Sequence, residues 1–217
     1  MAADGDTAGL ARLLAARPGL LDAEGSNKLT PLHCAATGGH ASAVKLLLDL
    51  GASPDGGVSC GPNTPLLPVV LDRNVEVARL LLDAGPLLNV PRQFPPLCAA
   101  AASGDLVLTR MLLEAGADVN TNAFDATTED GQLMAFVAGR ATLIHDLTTL
   151  DRFGIRLLGP PLHWAAYRGH RETAELLLEQ GARRDARGRF GRTAEEWATE
   201  EGHHGVAELL RGEAEGP

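Results

Sequence analysis

Thr30-Pro31-Leu32-His33-Cys34-Ala35-Ala36-Thr37-Gly38-Gly39-His40 returns later in the chain as Pro160-Pro161-Leu162-His163-Trp164-Ala165-Ala166-Tyr167-Arg168-Gly169-His170. Less complete versions begin at Thr64, Pro95 and Thr193, so the anchors are spaced by 34, 31, 65 and 33 residues. The spacing of 65 is close to twice the others and predicts one degenerate copy between Pro95 and Pro160. After each anchor comes a Leu cluster and then a glycine: Leu46-Leu47-Leu48 with Gly51, Leu80-Leu81-Leu82 with Gly85, Leu112-Leu113 with Gly116, and Leu176-Leu177-Leu178 with Gly181.

Helix rules give this pattern a physical reading. Threonine at the anchor accepts from the unpaired N–H groups of a helix start, and proline at the next position loses no hydrogen bond there. The leucine two residues on and the Ala pair beyond it share overlapping faces of a short helix, where small side chains admit a close neighbour. Gly39, Gly104 and Gly169 stop that helix, and a second one carries the Leu cluster. Helices of about 8 to 11 residues are marginal alone, so stacking of one pair on the next must supply the stability.

With these residues in view, the sequence resembles the ankyrin-repeat family. The resemblance rests on the Thr-Pro-Leu-His-x-Ala-Ala-x-x-Gly-His start, the Leu-rich second helix and the Gly51-Ala52, Gly116-Ala117 and Gly181-Ala182 turns. It implies an all-α repeat solenoid of stacked ankyrin-type helix pairs with protruding hairpin-like turns, whose turn tips and first-helix face bind another protein. The expected organisation is a single domain over residues 1–212. A partial N-terminal cap at 2–24 precedes regular repeats at 25–57, 58–88 and 89–120. A degenerate repeat follows at 121–154, then a regular repeat at 155–186, a capping repeat at 187–212 and a flexible tail at 213–217.

Composition agrees with thin helical layers. Of 217 residues, 45% are apolar but only 4% aromatic, which favours small-residue helix packing over a sandwich or barrel. The net charge of −9 argues against a broad nucleic-acid footprint, which needs a concentrated basic face. Three cysteines, Cys34, Cys60 and Cys98, form neither a disulfide framework nor a metal site and fit a reducing compartment. Asp4 and Asp6 fall where a signal peptide needs a basic lead, and no apolar run spans a bilayer, so the expectation is a cytoplasmic protein without membrane insertion, monomeric before it meets its partner.

Several stretches depart from the pattern. Arg73-Asn74 replaces the expected Gly-His, and arginine is a poor residue if that position needs positive φ. Pro68 falls inside a predicted first helix and is expected to kink it. Between Asn120 and Gly159 the register is open: Thr128 sits eight residues after Asn120 as an anchor should, whereas Gly139 fits a start at Asp130. The Leu143, Ile144, Leu147 and Leu150 stripe still reads as helix, and the apolar stretch from Asp151 to Gly159 either packs over this layer or forms part of a pocket.

No catalytic, cofactor or metal signature emerges. His33, His40, His163 and His170 recur at equivalent repeat positions and read as structural, His203-His204 lacks a third ligand, and Glu195-Glu196 and Glu200-Glu201 are neighbours that do not converge. The expected protein-binding residues are Phe94, Ser103, Trp164, Tyr167, Arg168, Arg184, Arg187 and Arg192. Trp164 and its equivalent Trp197 either seal adjacent layers or border the groove, since aromatic area flanked by arginine suits a hot spot. Two other readings stay open: a nucleic-acid-associated factor using the cluster Arg183, Arg184, Arg187, Arg189 and Arg192, and an enzyme with His145 and Asp146 in the irregular layer.

Overall fold

The computed structural model describes residues 5–25, 28–56, 64–89, 94–122, 159–188 and 191–212. Two compact units divide the chain, Met1–Leu87 and Leu88–Pro217. In the first, α1 (Thr7–Ala16) and a 3-10 turn (Pro18–Leu20) precede the pairs α2 (Pro31–Thr37) with α3 (Ala41–Asp49) and α4 (Leu66–Leu71) with α5 (Val75–Asp83). The second contains α6 (Pro96–Ser103) with α7 (Leu106–Glu114), α8 (Pro161–Tyr167) with α9 (Arg171–Glu179), and α10 (Ala194–Glu200) with α11 (His204–Arg211). The described residues contain no strand; hairpin-like turns are closed by Gly25 N–H to the Leu29 carbonyl at 3.0 Å and Gly188 N–H to the Arg192 carbonyl at 2.9 Å. This is the all-α repeat class that the anchors imply.

The first helices start where the capping chemistry is strongest. Thr30 Oγ1 faces His33 N–H at 3.5 Å, while Thr30 N–H donates back to His33 Nδ1 at 3.3 Å, so the motif histidine completes a reciprocal cap. In α10 the same exchange uses Thr193 and Glu196, with Thr193 N–H to Glu196 Oε2 at 2.7 Å. Pro68, expected to kink a helix interior, does not stand in one. Helix α4 begins at Leu66, so Pro68 stands in its first turn, where the missing N–H would have had no intrahelical partner.

Second helices use two devices. Asp6, Asn74 and Asp105 cap their own helices, accepting from Gly9, Val77 and Leu108 N–H groups at 2.9, 3.1 and 3.0 Å. Where histidine stands at that position it reaches the preceding layer instead. His170 Nε2 meets the Ala102 carbonyl at 3.1 Å, and His203 Nε2 meets the Tyr167 carbonyl at 3.0 Å. Room for each ring comes from a glycine with positive φ: a Cβ on Gly104 (φ 67°) would lie 2.6 Å from His170, and one on Gly169 (φ 72°) 2.6 Å from His203. Leu108, Leu112 and Leu177 are fully buried against Ala100, Ala101, Ala165 and Ala166 at similarly complete burial. Burying each leucine contributes about 1.5–3 kcal/mol.

A ladder along the turns fixes layer order. The residue four beyond Gly51, Gly85 and Gly116 accepts from the N–H of the next described turn: Asp55 from Leu87 at 2.7 Å in the first unit, and Asn89 from Asp118 at 2.8 Å in the second. Asn89 also donates to the Gly116 carbonyl at 3.1 Å. Asn120 repeats this double contact, but with Gly181 and Arg183, at 3.2 and 2.9 Å. Its partner lies 63 residues on, against 29 for Asn89 and 32 for Asp55.

Helices α6 and α7 pack directly on α8 and α9. The anchors at Pro95 and Pro160 thus head layers in direct contact, with the stretch expected as a degenerate repeat at 121–154 lying between them in sequence. Most of that stretch, with the register alternatives, the Leu143 to Leu150 stripe, His145 and Asp146, lies outside the described residues.

Two predictions test this architecture. Seven residues separate Asp185 from the Thr193 anchor, so replacing residues 123–158 by a four-residue turn restores that spacing between Asn120 and Pro160. The shortened chain should keep a cooperative melt and protected Asn120 and His170 contacts by hydrogen exchange; loss of the fold would show that the contact of α6 and α7 with α8 and α9 depends on residues 123–158. Arg73 sits at φ 55°, a conformation costing a residue with a Cβ about 1–2 kcal/mol. Arg73→Gly should raise stability by about 1 kcal/mol in urea melts, after the entropy of the freer chain is discounted.

Candidate protein-binding face

The first helices of the second unit and the turns that feed them bring aromatic and guanidinium groups together. Phe94, one residue before the third anchor, meets Trp164 edge-on with ring centroids 5.4 Å apart. Trp164 Nε1–H donates to the Gly159 carbonyl at 3.1 Å, and the side chain is only 5% exposed. One helix turn further, at the end of α8, Tyr167 packs edge-on against Trp197 of α10 at 5.9 Å. The Arg168 guanidinium stands 5.9 Å from the Tyr167 ring centre, and that of Arg192 stands 4.8 Å from the Trp197 ring centre. Arg192, Trp197, Tyr167 and Arg168 thus form one connected strip, with a cation at each end.

Burial separates the expected binding residues. Trp164 is the most covered of them, with its one polar atom satisfied inside the fold, so it joins layers more than it borders the groove. Phe94, Ser103, Tyr167, Arg168 and Arg192 are half-buried, and Ser103 Oγ donates to the Ala100 carbonyl at 3.0 Å. Trp197, at 3% exposure, is the inner wall on which Tyr167 and Arg192 rest, and it was legible only as the equivalent of Trp164.

The arginine-rich turn is knitted into the fold. Arg184 donates to the Leu209 and Leu210 carbonyls at 2.9 and 3.3 Å, placing a cation on the negative end of α11. Arg187 bonds the Gly191 carbonyl across its own turn and faces Glu196 at 3.9 Å. Arg192 pairs with Glu200. Arg183 pairs with Asp185 at 3.3 Å, and that hydrogen bond, then the charge behind it, holds the Asp185 carboxyl below its ordinary value. Arg189 lies outside the described residues.

His163 anchors α8 from beneath the strip. Nε2 meets the Arg192 carbonyl at 3.0 Å, tying this layer to the turn before α10. Nδ1 is buried with no hydrogen-bond partner, because the anchor here is Pro160, which has neither the hydroxyl nor the N–H that Thr30 offers His33. Burial pushes the His163 pKa down, opposed by the backbone hydrogen bond to Arg192. Among the described residues, no group of three His, Cys, Asp or Glu side chains is arranged to hold a metal ion, and no helix is long and apolar enough to cross a membrane.

Comparison with known proteins gives these observations a context. The family profile described as Ankyrin repeats (3 copies) matches residues 1–91 and 136–216, and the one described as Ankyrin repeat matches 92–123. Cyclin-dependent kinase 4 inhibitor B of Homo sapiens is 36% identical over 124 residues, which is 53% of this chain and 84% of that protein. Cyclin-dependent kinase inhibitor 2A of Homo sapiens is 35% identical over 166 residues, 75% of this chain and 86% of that protein. Ankyrin repeat and KH domain-containing protein mask-1 of Caenorhabditis elegans is 26% identical over 184 residues, 82% of this chain but 7% of that much longer protein.

The His163 environment predicts an acid-sensitive layer. The unfolded chain binds the proton near the ordinary value of about 6.5, and the folded chain only at lower pH. The resulting contribution is complete above that value and declines as pH falls toward the folded pKa. Pro160→Thr gives Nδ1 a partner and α8 a cap, gains that outweigh the proline's restriction of the unfolded chain. It should add about 1 kcal/mol at pH 7.5 and flatten the loss between about pH 6.5 and 5 in urea melts. A steeper loss, or a less stable protein at both pH values, would contradict the assignment.

Proposed function

We propose that this chain, which belongs to the ankyrin-repeat family, binds a protein kinase of the cyclin-dependent class and holds it inactive. The chain is a non-catalytic protein–protein interaction module, and the proposal concerns which protein it takes. The observation that carries it is the 35% identity across 166 residues to a cyclin-dependent kinase inhibitor of which the match covers 86%. The contact face is assigned to Phe94, Ser103, Tyr167, Arg168 and Arg192 with the turn tips beside them. Half-buried aromatic and arginine side chains lose little rotamer entropy on docking and bury large apolar area, which is the make-up of interface hot spots. Arginines 184 and 187 border this face but owe their positions to α11 and to their own turn.

Purified cyclin-dependent kinase 4, titrated with the full chain, provides the test. A dissociation constant in about the micromolar range or tighter is expected, together with dose-dependent loss of kinase activity. Tyr167→Ala and Arg168→Ala should each weaken binding about tenfold or more, while Glu172→Ala on the exposed side of α9 should leave it unchanged. Absence of binding across a panel of cyclin-dependent kinases would refute the proposal.

A further inference from the structure

We infer that the strip formed by Arg168, Tyr167, Trp197 and Arg192 seats an extended acidic segment of the partner, with one carboxylate at each guanidinium and the backbone passing over the Tyr167 ring. This rests on the protein-binding reading of the face and adds the chemistry of what lies on it. The ring contacts connect the two guanidiniums without a gap, the cations 5.9 and 4.8 Å from their respective ring centres and the rings 5.9 Å apart. At ~3.3 Å per residue, at most about five extended residues bridge that path.

Charge complementarity identifies the occupant. A guanidinium has five N–H donors in a planar fork, more than one carboxylate takes, whereas the two acids at the Arg192 end of the strip are engaged as acceptors. Glu200 receives Arg192, and Glu196 takes Thr193 N–H at 2.7 Å and faces Arg187. The Arg192 side chain is still 41% exposed, and Arg187 of the same turn is 63% exposed. Their paired contacts are surface ion pairs, each worth little against a new carboxylate. In a chain of net charge −9 this local surplus of donors draws an acidic segment here and repels it elsewhere. Nucleic acid fits less well, since Arg184 is committed to the end of α11 and the surrounding carboxylates repel a continuous phosphate backbone.

The test titrates the full chain with a Gly/Ser peptide bearing two glutamates four residues apart, and with its glutamine twin, following heat and tryptophan fluorescence. The glutamate peptide should bind, and bind more weakly as salt rises from about 50 to about 300 mM. Arg168→Gln and Arg192→Gln should each weaken it about tenfold. Glu200→Gln, which removes the competing carboxylate while keeping the side-chain volume, should strengthen it about threefold, an effect that a merely structural pair would not produce. Equal binding of the glutamine twin, or no gain from Glu200→Gln, overturns the inference. So does a single-stranded oligonucleotide that displaces the peptide and binds more tightly. Loss of peptide binding with kinase binding intact removes the strip alone; peptide binding without kinase binding removes the kinase alone.

Discussion

Contact between adjacent layers carries everything else in this protein. The first helices have six to eight residues, too few to hold their own hydrogen bonds against water. What stabilises them is the face they turn toward the next layer, built from alanines where backbones must come close and from leucines where volume must be filled. Leu97, Leu162 and the Ala pairs behind them are buried because a neighbouring helix covers them. Stability of this kind is approximately a sum over neighbouring pairs.

Packing of that sort specifies closeness better than order, and the polar groups supply the order. A glycine with positive φ admits a histidine ring from the following layer, whose Nε2 finds a carbonyl two residues before that glycine. On the turn side, Asp55, Asn89 and Asn120 each reach the next turn's N–H. An asparagine can both accept and donate, so Asn89 and Asn120 hold two backbone groups where aspartate holds one. These bonds place α8 immediately after α6 irrespective of the chain length between them.

That independence explains what could be read from the sequence and what could not. Anchors, Leu clusters and glycine stops are local signals, so helix pairs, fold class and the strain at Arg73 were legible from residue type alone. Counting anchors was less secure, because a spacing of 65 says how much chain lies between two copies and not whether it stands in the stack. The residue that joins the two described layers was present as Asn120, four beyond Gly116, but its partners Gly181 and Arg183 are visible only in three dimensions. Pro68 misled for a similar reason: proline breaks a helix interior, and which residue is interior depends on a start that Thr64, read as the cap, sets one residue earlier. Trp164 and Trp197 were recognisable as equivalent, yet only neighbouring layers decide that such a ring is covered.

The arginines show why composition alone gives a poor account of a surface. Arg184 has as much charge as Arg168, but its N–H groups close the last helix and its loss would expose two carbonyls. Arg192 lies between these cases, resting on Trp197, paired with Glu200, and giving its carbonyl to His163. The backbone of this one residue fastens α8 to the turn before α10, while its side chain faces outward beside Tyr167. A partner that drew the guanidinium away from Glu200 would leave the His163 bond in place, because that bond uses the main chain. Recognition and stacking can therefore share a residue without competing, provided that each draws on a different part of it.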